Sequence, residues 1–115
     1  LYQTEPVKAS DTGISESIFS IVKEGMRLVV TEEHAAEFAS LEAAGIPTAG
    51  KTGTAQEAKD RPDHSFFTGY ASYENPEIVA TVVIPYGGGS ANAIPVFRDI
   101  IANYYGISLD TEQDM

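Results

Sequence analysis

Ala49-Gly50-Lys51-Thr52-Gly53-Thr54-Ala55-Gln56 is the stretch on which the fold turns. From Ile46 to Gln56, Thr48, Thr52 and Thr54 alternate with small residues, which predicts a strand thinned by Gly50 and Gly53. A lysine beside hydroxyls and a glycine on such a strand makes a recognition edge. Lys51 brings a positive charge to an anionic substrate and can lower the pKa of a neighbouring nucleophile or proton carrier. Thr52 and Thr54 lie two residues apart, so they share a face and can both donate to a carboxylate. Gly53 leaves room for a substrate backbone, and a backbone N–H just beyond it can donate to an oxyanion.

The same letters admit a second spelling. Gly45-Ile46-Pro47-Thr48-Ala49-Gly50-Lys51-Thr52 fits the phosphate-binding pattern G-x-x-x-x-G-K-[ST]. That loop needs a strand before it and a helix after it, so that backbone N–H groups converge on phosphate. Here the preceding stretch, His34 to Ala44, is helical in composition, and Gly53, Thr54 and Pro62 make poor helix material downstream. The apolar run ending at Ile84 is followed by Pro85 rather than by an aspartate suited to Mg²⁺. A nucleotide-binding fragment is therefore the alternative and not the main reading.

Working outward, residues 1–13 are polar and turn-like. Ile14, Ile18, Ile21, Val22, Met26 and Val29 then recur at helical spacing, which predicts a helix with one buried face, capped by Asp11 or Ser15. Glu32 to Ala44 reads as a second, shorter helix stopped by Gly45. After the polar loop Glu57 to Asp63, an aromatic-rich strand runs from Phe66 to Tyr73 and a β-branched one from Ile78 to Ile84. The last is apolar almost throughout, as expected of a central strand covered on both faces. Ser90 or Asn92 can cap a final helix whose Ile94, Phe97, Ile101 and Tyr104 share one face, closed by Gly106. The predicted class is α+β, a three-stranded antiparallel meander flanked by N- and C-terminal helices. Two long helices can cover one face of such a sheet, leaving the other face and an outer edge for partners from elsewhere.

Bulk properties narrow the function. The chain has 115 residues, one domain or part of one, with 17 acidic against 7 basic residues and a formal charge of -10. Such an excess repels phosphate backbones and anionic headgroups, so nucleic-acid and membrane-surface binding are disfavoured. Cysteine is absent, which excludes disulfides and thiolate metal sites. No apolar run approaches the ~20 residues needed to span a bilayer. Because Leu1 is not a methionine and no signal segment follows it, the expectation is a piece of a longer protein.

The strand motif resembles the third active-site motif of the penicillin-binding proteins and serine β-lactamases. Its longer form, AGKTGTAQ, looks like the high-molecular-weight, class B-like transpeptidases. The resemblance covers about residues 14–105. Gly25-Met26 with Val29-Val30 matches the helix before the motif, and His64-Ser65-Phe66-Phe67-Thr68-Gly69-Tyr70-Ala71 resembles the next strand. Phe67 stands where tryptophan is more usual. The resemblance implies that residues 1–115 are the C-terminal portion of one transpeptidase domain, with 1–13 and 107–115 loose. It implies that Lys51 organises the active-site hydrogen bonds, and that Thr52, Gly53 and Thr54 bind substrate. Both threonines would hold the carboxylate of a peptidoglycan stem peptide or of a β-lactam, and the Thr54 N–H would supply half of an oxyanion hole. It implies neither cofactor nor metal, and an extracytoplasmic location for a parent protein anchored upstream.

The family's other motifs, S-x-x-K and S-x-N, have look-alikes. Ser20-Ile21-Val22-Lys23 falls inside the first helix, and Ser90-Ala91-Asn92 comes after the strand instead of before it. They read as helix surface and helix cap, so the nucleophilic serine is expected in the remainder of the transpeptidase domain. Glu33, His34 and Glu37 read as an exposed acidic helix face. Asp60, Asp63 and His64 read as a solvated loop, with His64 placed where a strand enters beside the motif. Gly87-Gly88-Gly89 reads as a turn. A non-catalytic interaction module keeping this half-fold is a further alternative.

Overall fold

The computed structural model describes residues 2–109. Two helices come first, α1 (Glu16–Leu28) and α2 (Ala35–Ala43), joined by a π-helical turn, Val29–Glu33. Three strands follow, β1 (Thr48–Ala55), β2 (His64–Ala71) and β3 (Ile78–Ile84), and then a 3-10 turn, Ser90–Ala93, leads into α3 (Ile94–Tyr104). Residues 2–14 belong to no helix or strand and are exposed. The C-terminal tail expected from Asp110 to Met115 lies outside the described residues. Among the described residues, no helix is long and apolar enough to cross a membrane.

The sheet is the antiparallel meander that the sequence predicts, in the order β1-β2-β3. Its register pairs Thr52 with Phe67 and Gly50 with Gly69, and then Phe67 with Val82 and Gly69 with Ala80. The central strand is therefore β2. The expectation that Ile78–Ile84 is covered on both faces is not met in this chain. Val79 is 74% and Val83 48% exposed, while Val82 is buried, so β3 alternates like a strand with one covered face. A run of β-branched residues carries β propensity whichever face is buried, which is why it read as central.

The core lies on the Phe67 face of the sheet. Phe38 from α2, Phe67 and Phe97 from α3 are fully buried and form a ring cluster. Phe67 and Phe97 are 4.7 Å apart and tilted by 51°, and Phe38 meets Phe97 edge-on at 6.2 Å. Leu41, Val30, Ile94 and Ile101 close around them. Two facing glycines make the rings fit. A Cβ at Gly69 would stand 2.5 Å from the Ala49 carbonyl oxygen and 2.7 Å from Phe97 Cζ, and one at Gly50 would collide with Phe67. Ile107 and Leu109, beyond α3, also pack against this core.

Both helix stops are as the glycines predict. Gly45 has φ 78, the Ile46 N–H donates to Leu41 O at 2.9 Å and the Gly45 N–H to Glu42 O at 3.0 Å. Gly106 repeats the pattern with φ 69, its N–H donating to Asn103 O at 3.2 Å and the Ile107 N–H to Ala102 O at 2.8 Å. Only a residue comfortable in the left-handed region closes both bonds at once. The predicted caps at helix starts are corrected. Ser15 is the N-cap of α1 but makes no side-chain cap bond, pairing with Ser17 Oγ at 3.0 Å instead, and Asp11 accepts from the Gly13 N–H. Neither Ser90 nor Asn92 caps α3; Ser90 opens the 3-10 turn, and the Asn92 amide donates to Gly87 O at 2.6 Å. On α3, Ile94, Phe97 and Ile101 are buried as expected, but Tyr104 is 51% exposed.

Of the predicted stripe Ile14, Ile18, Ile21, Val22, Met26 and Val29, only Met26 and Val29 turn inward. Ile18, Ile21 and Val22 are all more than half exposed, and α1 has no buried residue. The half-buried positions are Lys23, Met26 and Arg27, which continue at helical spacing into buried Val30. By strand alternation Tyr70 points away from the Phe67 face, and Lys23 Nζ lies 5.9 Å from the rings of Tyr70 and Tyr73. The two long helices thus lie on opposite sides of the sheet, and α2 with α3 covers the core face.

Arg27 ties three elements together. Its Nη2 donates to Glu42 Oε2 at 2.8 Å, Nη1 reaches Glu42 Oε1, and Nη1 also donates to the Thr48 carbonyl at 2.8 Å. The Glu42 hydrogen bond raises the guanidinium pKa despite partial desolvation. With side chains 21% and 33% exposed, the pair is half-sheltered from solvent screening. Arg27→Ala is expected to cost about 1.5–3 kcal/mol in urea unfolding, and Arg27→Lys to recover less than half, because an ammonium cannot make the fork. A loss below about 0.5 kcal/mol for Arg27→Ala would contradict this.

Candidate active-site strand

The predicted site residues all fall on β1, which among the described residues is paired on one side only, so half of its backbone N–H and C=O groups point away from β2. Lys51 is exposed and lies opposite Thr68; Thr52 is half-buried opposite Phe67. Gly53 is half-buried opposite Phe66, and Thr54 is exposed opposite Ser65. Strand alternation puts Thr52 and Thr54 together on the Phe67 side. Lys51 and Gly53 take the opposite side, toward which α1 lies. The edge therefore offers hydroxyls on one flank and an ammonium on the other. Lys51 Nζ donates to its neighbour's carbonyl, Thr52 O, at 2.8 Å. Beyond it runs a polar row, with Thr68 and Thr81 hydroxyls 2.8 Å apart.

Chemically, such an edge can take an extended peptide by backbone pairing. The two hydroxyls are donors for a carboxylate, and the ammonium is a cation in a chain of charge -10. At Gly53 an added Cβ would press on the Phe66 side chain alone, 3.3 Å from its Cβ.

The end of β1 holds a cluster that sequence reasoning missed. His64, Glu57, Arg61 and Tyr86 are hydrogen-bonded into one group, with His64 Nε2 2.9 Å and Tyr86 Oη 3.2 Å from Glu57 Oε2. The hydrogen bond from His64, then that from Tyr86, lowers the Glu57 pKa. The reading of His64 as part of a solvated loop is corrected: its side chain is 20% exposed and bonded through both ring nitrogens. No local signal announces this, since Tyr86 is 22 residues from His64.

The remaining candidates resolve by geometry. Gly45–Thr52 runs from the cap of α2 straight into β1, a helix-to-strand passage that lacks the strand and helix of a phosphate loop. Ser20 sits exposed on α1. The Ser90 carbonyl accepts the Ser65 hydroxyl at 3.1 Å as part of the turn. His34 lies 3.5 Å from Glu37, one turn along α2. Gly87 and Gly88 form the turn after β3, where Gly88 has φ 85 and its N–H donates to Asp63 O at 2.9 Å.

Comparison with known proteins agrees with this arrangement. The family model described as "Penicillin binding protein transpeptidase domain" matches residues 2–102. A curated relative, peptidoglycan D,D-transpeptidase MrdA of Haemophilus influenzae, is 37% identical over an alignment covering 72% of this chain and 15% of the relative. Among solved structures, penicillin-binding protein 2B of Streptococcus pneumoniae superposes with a TM-score of 0.71 at 26% identity, covering 96% of this chain and 19% of that one. The penicillin G acyl-enzyme complex of penicillin-binding protein A from M. tuberculosis gives 0.62 at 25% identity, covering 80% and 21%. The chain thus spans under a quarter of the length of these relatives. With the meander, its flanking helices and a match across nearly all described residues, the chain belongs to the penicillin-binding protein transpeptidase family, as a C-terminal part of the transpeptidase domain.

Proposed function

We propose that β1 is the substrate-holding wall of a peptidoglycan D,D-transpeptidase that works by serine acyl transfer. One observation carries this: Lys51-Thr52-Gly53-Thr54 occupies the free edge of the sheet in a chain of this family. Lys51 organises the active-site hydrogen bonds. Thr52 and Thr54 hold the carboxylate of the stem peptide, Gly53 lets its backbone lie close, and the Thr54 N–H forms half of the oxyanion hole.

The rest of the domain supplies the S-x-x-K and S-x-N motifs, residues 1–115 forming its C-terminal portion with a core over 14–105. A serine there attacks the penultimate D-Ala carbonyl, expels the terminal D-Ala, and passes the acyl group to an amine on a neighbouring strand. β-Lactams acylate the same serine. The relative from M. tuberculosis, captured as a penicillin G acyl-enzyme, supports that part of the reading. The parent works without a cofactor at the extracytoplasmic face of the membrane.

The test is labelling with fluorescent penicillin. The parent protein is expected to form a stable adduct at a serine outside residues 1–115, and the 115-residue chain alone to form none. An adduct on the isolated chain, or a parent that penicillin does not label, would overturn the proposal.

A further inference from the structure

We propose that His64 is a positioning residue for the substrate-holding strand, latching the loop after β1 to the turn after β3 through its Nε2–H tautomer. The inference rests on the reading of β1 given above.

His64 opens β2 opposite Ala55, the last residue of β1. Its Nδ1 accepts the Tyr86 backbone N–H at 3.0 Å. A ring nitrogen that accepts an N–H carries no proton, so the neutral ring keeps its proton on Nε2. That N–H donates to Glu57 Oε2 at 2.9 Å. The same carboxylate oxygen accepts the Tyr86 hydroxyl at 3.2 Å, which in turn accepts Arg61 Nη1 at 3.2 Å. The imidazole and phenol rings are 4.6 Å apart, and the Arg61 guanidinium lies 5.6 Å from the phenol ring.

The latch holds a turn that would not hold itself. Tyr86 has φ 54, a backbone conformation that residues other than glycine rarely adopt. The bond from Gly88 N–H to Asp63 O straps the same loop to the same turn. Next along β2, Ser65 faces Thr54 and its hydroxyl donates to Ser90 O at 3.1 Å. The partner strand of Thr54 is therefore pinned at two successive residues. Loosening His64 frees the end of β1 that carries the proposed oxyanion donor.

Protonation state decides whether the latch closes. The ionisable groups around His64 are Glu57 and Tyr86, with Arg61 beyond the phenol; the 3-10 turn Ser90–Ala93 contributes none. A second proton on the ring turns Nδ1 into a donor facing the Tyr86 N–H, and that bond is lost. The Nε2 contact with Glu57 survives as an ion pair. Glu57, with its pKa lowered, keeps its share of the latch above the ordinary carboxylate range and loses it only as pH falls through the lowered value.

The experiment measures second-order acylation of the parent protein by fluorescent penicillin at neutral pH. His64→Asn keeps an acceptor near the place of Nδ1 and does not titrate. His64→Gln keeps only a donor near the place of Nε2. His64→Ala and His64→Gln are expected to acylate about 10-fold more slowly, the cost of a slightly misplaced catalytic strand. His64→Asn, which keeps the acceptor, should stay within about 3-fold of the parent. Equal losses in all three variants, or an unchanged rate in His64→Ala, would overturn the latch. Nitrogen-15 imidazole spectra of the parent supply a readout independent of acylation; a proton on Nδ1 at neutral pH would overturn it as well. A wild-type parent that penicillin never labels overturns the function of β1 instead, and the tautomer then decides the latch by itself.

Discussion

Lys51→Ala in the parent transpeptidase is expected to slow penicillin acylation by about 100- to 1,000-fold, the cost of removing one preorganised charge from a reacting centre. Lys51 is exposed on a strand edge, and among the described residues its side chain hydrogen-bonds only to the neighbouring Thr52 carbonyl. Nothing in the described core depends on it. A steep loss of acylation with an unchanged melting temperature would therefore report chemistry and not folding. Stopped-flow or gel-based labelling at several penicillin concentrations measures the rate, and thermal unfolding supplies the control. Unchanged acylation would leave a non-catalytic interaction module as the better description of this half-fold.

Phe67→Ala should have the largest effect on stability, about 3–5 kcal/mol in urea unfolding. The ring is fully buried and touches both other members of the aromatic cluster, Phe38 at 5.9 Å and Phe97 at 4.7 Å. It is the one ring of the three that comes from the sheet, so its loss opens a cavity between the sheet and both α2 and α3. Relaxation cannot fill that cavity cheaply, because Gly50 and Gly69 already bring the backbones as near as they can come. Against a typical domain stability of about 5–15 kcal/mol, the substitution removes a large share. Val79→Ala is the matched control: Val79 is 74% exposed on the open face of β3, and a change within about 0.5 kcal/mol is expected. Similar losses at the two positions would contradict the placement of the core.

Several elements were legible in the sequence for reasons that are local. Gly45 and Gly106 end helices because only a left-handed residue completes the closing bonds, and both do so with φ near 70 to 80. The Lys51 strand was legible because its threonines and glycines suit a pleated edge, and the strand period alone places Thr52 with Thr54. The misreadings share a different cause. The stripe from Ile14 to Val29 correctly announced a helix, but only its Met26 and Val29 turn inward, while Ile18, Ile21 and Val22 are exposed and Lys23 and Arg27 are half-buried in their place. Tyr104 keeps helical spacing with Ile101 yet is exposed, while its neighbour Tyr105 packs against the core. Ser15, Ser90 and Asn92 are cap-type residues that found other partners.

For this protein, then, residue order alone determined the elements, the helix stops at Gly45 and Gly106 and the family, down to Lys51, Thr52, Gly53 and Thr54 on one strand. Those properties depend on neighbours within a few positions, where backbone geometry leaves little choice. Tertiary structure alone decided that β2 and not β3 is central, that the long helices lie on opposite sides of the sheet, and that His64 is latched to Glu57 and Tyr86. Periodicity says that a face will be buried but not against what, and a bond across 22 residues exists only once the chain between has closed.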